Sequence, residues 1–479
     1  MKKILTTALA GLMLCTAAFA TTHESSADST AKHEGKKAKK EVKYNENGEI
    51  IKTGINLGPL PVVAFDADRG FQYGALLNIY NFGDGSTYPN PKSWWYIEAS
   101  AYTGGTWNLY LNYDNREIFN KTRLSICTNY SNESALDFYG FNGYQSIYTY
   151  ALDDFFQNNP GEFIFDTDSK KGEKAEKKFD NGNGKAPKGF YRYSRQSFRA
   201  KADLIGEIAK NFYWEAGYTF YWINHKDFTP KGYTPVDGSL YGLYKDWGIL
   251  NDTGENQFVS ALKAGLMYDS RNVQNNPTKG IWAEAHAIVA PKWLGSSMDS
   301  YKISATFRHY VPIVQDKLTF AYRFAYQGFL GNNTPWYLMP FYSNMGYTRD
   351  FDAIGGYRTT RGLMLDRVQG LHTGFYNIEL RYKFIDFQLA NQNIAFALSG
   401  FTDGAHVFKG YDLTNKTGAK QELYKKYIDT SRKDGLHATA GAGLRFIMNQ
   451  NFIVAFEYAR CFNKQDGNGA FYINTGFLF

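Results

Sequence analysis

Strict alternation of polar and apolar side chains recurs along this chain and restricts its possible folds more than any other feature. The segment FYNIELRYKF, for example, places Tyr376 and Ile378 on one face and Asn377 and Glu379 on the other. A period of two is expected for a strand whose faces meet different surroundings. Similar alternation occurs in NIAFALSGFTDGAHVF and NFIVAFEYARCF. The sequence therefore predicts an all-β fold with many antiparallel strands.

The aromatic content decides between a soluble all-β protein and a membrane barrel. Tyr and Phe contribute 37 residues each, and 17% of the 479 residues are aromatic. After the N-terminal segment, no apolar run approaches the roughly 20 residues that a membrane helix needs. Apolar outer bands with aromatic girdles are typical of outer-membrane barrels. We therefore predict a transmembrane antiparallel β-barrel of about 16 strands over residues 57–479.

The N-terminus indicates the cellular compartment. Two lysines precede an apolar stretch, and Ala18-Phe19-Ala20 fits a small-x-small cleavage site. Residues 1–20 are therefore predicted to be a signal peptide. Residues 21–56 are mostly polar and charged, so we expect a disordered periplasmic lead that is too short for a folded domain. The mature protein is expected in the bacterial outer membrane.

Neither catalysis nor metal binding is indicated by the sequence. The predicted mature chain keeps Cys127 and Cys461, whose pairing the sequence leaves open, and no Cys/His cluster suggests zinc. Gly-x-Ser-x-Gly and His-Glu-x-x-His motifs are absent. The net charge of +7 does not point to nucleic acid. We expect no enzyme activity, cofactor, metal or nucleic-acid partner.

A glycine-rich stretch, GGYRTTRGLMLDRVQG, stands just before one of the predicted strands. Gly355, Gly356 and Gly362 would let the backbone pass tightly through a crowded space. Arg361 carries a planar guanidinium whose several N–H groups can bind two carboxylates at once. We predict that this stretch is a loop folded into the barrel lumen and anchored there by Arg361.

The two strands after this loop supply candidate carboxylates. Alternation places Glu379 on the lumen face of the first strand and Asp403 on the lumen face of the second. We predict that Arg361 binds both. Whether the arginine only pins the loop or also takes part in gating is left open by the sequence.

The glycine-rich stretch resembles the sixth outer loop of the BamA/TamA-like bacterial surface-antigen superfamily, which carries an Arg-Gly pair followed by an aromatic residue. Arg361 and Gly362 match this motif, whereas Leu363 stands in the aromatic position. GLMYDSRNVQNNPTKGIW and ATAGAGLRF also resemble barrel segments of the superfamily. The resemblance implies a lumen loop with Glu379 and Asp403 as wall acids. Its assembly members carry periplasmic POTRA domains, for which residues 21–56 are too few.

The resemblance also implies a function in membrane-protein insertion or translocation, as an assembly or auxiliary factor working with a partner chain. A weak lateral seam between the first and last strands would open, with Pro61 on one side and Phe477 and Phe479 on an outward stripe of the other. Expected partners are outer-membrane lipid, unfolded barrel substrates, and periplasmic or outer-membrane proteins. The alternative is a passive outer-membrane channel or surface scaffold that kept the fold without the assembly activity.

Overall fold

The computed structural model describes residues 44, 50–66, 69–148, 163–165, 190–228, 233–235, 239–251, 254–274, 276–331, 334–346, 350–389, 391–449, 452–475 and 478–479. These residues form a closed barrel of 16 antiparallel strands. The barrel strands are β1 (Ile55–Asp66), β2 (Gly70–Asn81), β3 (Ser93–Tyr102), β4 (Thr106–Phe119), β5 (Thr122–Asp137), β6 (Arg192–Ala209), β7 (Phe212–Asp227), β8 (Asn256–Asp269), β9 (Gly280–Ala290), β10 (Ser300–Val314), β11 (Leu318–Leu330), β12 (His372–Leu389), β13 (Gln392–Lys409), β14 (His437–Met448), β15 (Phe452–Cys461) and β16 (Ala470–Thr475). The predicted fold class and strand number are confirmed.

Short helices and ribbons lie in the connections between barrel strands. The α-helices are α1 (Leu240–Asp246) and α2 (Gln421–Tyr427), and single 3₁₀ turns occur at Gly143–Gln145, Lys292–Leu294, Trp336–Leu338 and Lys464–Asp466. Two small ribbons pair Phe163–Phe165 with Tyr233–Pro235 and Phe341–Tyr342 with Phe351–Asp352. Within the described ranges, no helix combines the length and apolar character needed to cross a membrane.

Consecutive strands are neighbours throughout, and β1 meets β16 to close the barrel. Connections after even-numbered strands gather at one end, which we name the turn end, and those after odd-numbered strands gather at the other, which we name the loop end. The four longest connections are all at the loop end and cover residues 138–191, 228–255, 331–371 and 410–436. This asymmetry is typical of outer-membrane barrels.

The alternation in sequence corresponds to the two faces of the barrel wall. On β12, Glu379 and Arg381 are buried in the lumen, whereas Leu380 and Tyr382 keep 43% and 46% of their surface exposed on the outer wall. The pleat of a strand sends successive side chains to opposite faces, so the lumen is polar and the outer wall apolar.

The largest apolar core lies at the loop end and is made mainly by the connections. Trp336 and Trp247 are buried there, and the rings of Phe138 and Tyr244 meet edge to face with centres 5.2 Å apart. We name five residues of this core the aromatic cap: Phe138, Tyr193, Tyr244, Trp247 and Trp336. Residues of the connections thus contribute most of the aromatic side chains that cover the loop end of the lumen.

The predicted domain boundaries meet the structure only at the start of the barrel. β1 begins at Ile55, slightly before the predicted start at residue 57. The predicted signal peptide, and all of the predicted lead before Ile50 except Tyr44, lie outside the described residues.

Candidate functional site

The connection between β11 and β12, residues 331–371, folds into the barrel and is named the lumen loop. Gly355, Gly356 and Gly362 have φ angles of 122°, 75° and 93°, a region that residues with side chains rarely adopt. A Cβ on Gly362 would lie 2.9 Å from the Cβ of Ala459 on β15, and one on Gly355 would collide with the carbonyl oxygen of Met364. Glycine is thus needed at Gly355 and Gly362 for both conformation and space.

Arg361 is completely buried and joins the lumen loop to β13 and β15. Its Nε and Nη2 donate to the two carboxylate oxygens of Asp403 at 2.8 and 3.0 Å, and its backbone N–H donates to the same group at 2.9 Å. Nη1 donates to Glu457 at 2.6 Å. The guanidinium carbon lies 3.4 Å from the ring centre of Phe401. Two carboxylates and one aromatic face therefore surround this cation.

Glu379 lies in the same cluster but is a distant partner of Arg361. Nη1 of Arg361 and the Glu379 carboxylate are 3.8 Å apart. Arg445 of β14 approaches that carboxylate to 2.5 Å and Arg381 approaches it to 3.2 Å. The structure thus places Arg361 on Asp403, whereas Glu379 is contacted mainly by two wall arginines, Arg381 and Arg445.

Glu457 holds the position that the sequence analysis gave to Glu379. Its carboxylate accepts hydrogen bonds from Arg361 and from Arg445, the latter at 2.8 Å. Alternation in NFIVAFEYARCF puts Glu457 on the lumen face, opposite to the exposed Tyr458, so the same reasoning could have found it. The complete set has three cations and three carboxylates, and we name it the charge cluster: Arg361, Arg381, Arg445, Glu379, Asp403 and Glu457.

A second anchor lies near the middle of the lumen loop. Here the loop supplies the carboxylates and the wall supplies the cations. Asp352 accepts hydrogen bonds from Nη1 and Nη2 of Arg199 at 2.5 and 2.9 Å, and Asp350 lies 3.5 Å from Nζ of Lys201. Both basic residues stand on β6, half-way round the barrel from β14. The loop therefore spans the lumen from two basic side chains of β6 to carboxylates on β13 and β15. The two aspartates in TRDFDAIGG, Asp350 and Asp352, are the sequence feature from which this second anchor could have been predicted.

The seam between β1 and β16 is short. Among the described residues the two strands share one pair, Phe65 with Ile473, whereas β15 and β16 share six pairs. Pro61 stands in the part of β1 that no described β16 residue pairs with, and proline has no N–H to offer a ladder. The described part of the closure thus has fewer paired positions than the neighbouring ladder of β15 and β16.

The end of β16 corrects the predicted outward stripe. Phe477 lies outside the described residues, and Phe479 lies in the lumen rather than on the outer wall. The ring centres of Phe479 and Tyr310 are 6.2 Å apart, and the guanidinium of Arg381 lies 4.9 Å from the ring centre of Phe479. The expectation failed because Leu478 and Phe479 lie outside the strand, so alternation does not set the direction of the Phe479 side chain.

No metal site emerges in the described part of the chain, where no group of three or more His, Cys, Asp or Glu residues is placed to hold an ion. Cys127 and Cys461 are both buried, and no disulfide joins them. Sγ of Cys461 lies 2.8 Å from the carbonyl oxygen of Gly362, so this thiol contacts the tip of the lumen loop.

A comparison with protein families gave one decisive match. Residues 152–479, well over half of the chain, match the model described as the Omp85 superfamily domain. The chain belongs to the Omp85 superfamily. Membership makes it an outer-membrane barrel of the bacterial type.

Several solved structures resemble this Omp85 barrel in fold. BamA from Haemophilus ducreyi lacking POTRA domains 1–3 has 15% identity and a TM-score of 0.51, with 91% of this chain and 74% of that chain covered. CdiB from Escherichia coli has 10% identity and a TM-score of 0.49, with 89% and 63% covered. At such identities the likeness concerns the fold alone. A comparison with curated protein sequences gave no match.

Arg367 connects the lumen loop of this Omp85 barrel to the loop end. Its Nη1 and Nη2 donate to the carbonyl oxygens of Gly143 and Ser146 at 3.0 and 3.2 Å. Its Nε lies 3.5 Å from the carboxylate of Asp466. The loop is therefore fixed to the wall at two sides and to the surface connections at its base.

Asp434 fixes the connection between β13 and β14 to the same region. It accepts a hydrogen bond from the N–H of Tyr144 at 3.0 Å and lies 3.0 Å from Nε2 of His437. Burial raises the pKa of Asp434, but hydrogen bonds with His437 and with backbone N–H groups outweigh it and lower the pKa below its ordinary value. This contribution to stability is present above the ordinary aspartate pKa and is lost as the pH falls through the lowered one.

Replacing Arg361 by alanine is expected to destabilise the folded barrel by about 3–5 kcal/mol, because Asp403 and Glu457 stay buried without their shared cation. The measurements are heat-modifiability on gels and proteolysis of the lumen loop. Arg358→Ala is the matched control, since it removes the same charge from the same loop at a half-buried position beside the ring of Tyr357. Equal effects of the two substitutions would contradict the role assigned to Arg361.

Glu457→Gln is expected to rescue part of the stability lost in Arg361→Ala. Removing the arginine leaves three carboxylates with two cations in the charge cluster, and the glutamine restores the balance. Groups in one ion-pair network commonly couple by about 0.5–3 kcal/mol. A double-mutant cycle on the unfolding midpoint measures this coupling, and strictly additive losses would show that the two groups act independently.

Proposed function

We propose that this barrel promotes insertion or translocation of polypeptides at the outer membrane, as an assembly or auxiliary factor, by opening between β1 and β16. The observation that carries the proposal is the seam itself. One described pair, Phe65 with Ile473, joins the two strands. A strand edge with unused N–H and C=O groups can template an incoming strand by β-augmentation.

The charge cluster supports a barrel that opens at one place only. From inside the lumen, Arg361 reaches the carboxylates on β12, β13 and β15. Arg445 of β14 pairs with Glu379 and Glu457. These four strands therefore act as one stiff panel next to β16. Separation at the seam then leaves the panel and the lumen loop in place, because their contacts do not depend on β1.

Substrate reaches the barrel from the turn end in this proposal, delivered by a partner chain. A polar cavity of about 520 Å³ lies there, lined by residues that include Asn272, Asp316, Lys383 and Asp386. Its charged and amide groups suit an extended polypeptide, whose backbone needs hydrogen-bond partners. BamA and CdiB are the relatives in fold, and the role in polypeptide handling is an extension of that family likeness.

A disulfide across the seam is expected to stop assembly. In a background of Cys127→Ser and Cys461→Ser, the pair Phe65→Cys with Ile473→Cys joins neighbouring positions of β1 and β16, whose spacing suits a bridge. Liposomes carrying the oxidised variant should fold an added unfolded outer-membrane barrel no faster than empty liposomes. Reductant should restore the rate.

The matched control shares one of the two cysteines. Phe456→Cys with Ile473→Cys locks β15 to β16, which are already well paired, and should keep full activity when oxidised. Unchanged activity of the oxidised Phe65→Cys variant would rule out opening at this seam.

The passive channel is the second candidate, and the aromatic cap speaks against it. Trp247 and Trp336 of the lumen loop are buried in the core that covers the loop end, and later residues of the same loop contact Arg199 and Asp403 on the lumen wall. In planar bilayers the protein is expected to be nearly silent. A broad, stable conductance, absent from bilayers with detergent alone, would favour the channel.

A further inference from the structure

Leu478 and Phe479 occupy a formed pocket in the lumen. Phe479 retains 5% of its surface, and it packs against Tyr310 of β10 and Ala321 of β11, which are completely buried. The guanidinium groups of Arg381 and Arg323 lie 4.9 and 5.2 Å from the centre of the phenylalanine ring. We name the four wall residues the ring pocket: Tyr310, Ala321, Arg323 and Arg381.

The pocket binds the backbone of Leu478 and Phe479 as well as the ring. Nη2 of Arg381 donates to the backbone oxygen of Phe479 at 3.0 Å, and Nη1 of Arg323 donates to that of Leu478 at 3.3 Å. The pocket therefore recognises an aromatic side chain together with two consecutive backbone oxygens. An extended polypeptide with an aromatic residue offers these groups, whereas a lipid tail does not.

The pocket is held in place independently of Phe479. Nε of Arg323 donates to Asn377 on β12 at 2.8 Å, and its Nη2 donates to the carbonyl oxygen of Arg358 in the lumen loop at 3.2 Å. Arg381 forms an ion pair with Glu379 in the charge cluster. Both arginines thus keep their orientation through wall and loop contacts, which is what a receptor site for an exchangeable ligand requires.

We propose that the ring pocket is a binding site for an aromatic residue of a polypeptide in trans, and that Phe479 is an internal ligand which occupies it while the seam is closed. The inference rests on the proposed function for its ligand class. Movement of β16 withdraws Phe479, and the emptied pocket leaves two buried guanidinium groups without their ring and their backbone acceptors. An incoming polypeptide with an aromatic residue then supplies a ring and backbone oxygens in place of those of Phe479 and Leu478.

The site is tested by peptide binding to the full chain in detergent. The probe is the fluorescent peptide AFYINTGFLF, the sequence of residues 470–479, and its partner probe is AFYINTGFLA. Phe479→Ala empties the ring site and should bind the first peptide at least tenfold more tightly than the unaltered chain, because the tethered residue no longer competes. The second peptide should bind at least tenfold more weakly than the first.

Arg381→Ala combined with Phe479→Ala should abolish this preference, whereas Arg460→Ala combined with Phe479→Ala, which removes an exposed arginine of β15, should leave it unchanged. A chain ending at Thr475 serves as a second emptied form. Equal binding of the two peptides by both emptied forms, or a preference that survives Arg381→Ala, overturns the proposal. Because binding is measured without assembly, this result and that of the seam disulfide can fail separately.

Discussion

The contact between Arg361 and Asp403 fixes the position of the other elements in the lumen. Three hydrogen bonds join one residue of the loop to one carboxylate, and a fourth reaches Glu457. A buried ion pair is seldom a large net source of stability, since desolvation opposes the attraction. Its value here is geometric, because a bidentate fork accepts a single orientation. The turns at Gly355 and Gly362 then have to adopt backbone conformations that fit this orientation of Arg361.

Alternation identified the faces of the wall correctly, and with them the lumen positions of Glu379 and Asp403. It could not rank the acids by distance from Arg361, because a period of two says which face a side chain takes and nothing about which strands approach a loop that crosses the lumen. Glu457 was readable by the same rule but was passed over. The basic anchor at Arg199 lies nearly half-way round the barrel, and sequence spacing carries no information about such contacts.

The correction at Phe479 has a different physical origin. Alternation holds only while the chain remains in the sheet, and Leu478 and Phe479 lie outside it. Outside the sheet the aromatic ring is placed by guanidinium groups and by Tyr310. The aromatic cap was missed for a related reason, since packing of loops such as the one carrying Trp336 depends on which connections share the loop end.

The balanced charges of the lumen also restrict how this sequence can change over generations. Loss of one member of the charge cluster leaves an uncompensated buried charge, whereas loss of a cation and a carboxylate together does not. Drift at Arg361, Asp403, Glu457 and Arg445 should therefore proceed by compensated pairs. Among homologues, these positions would covary across three different strands and a loop, although they lie up to 96 positions apart in the chain.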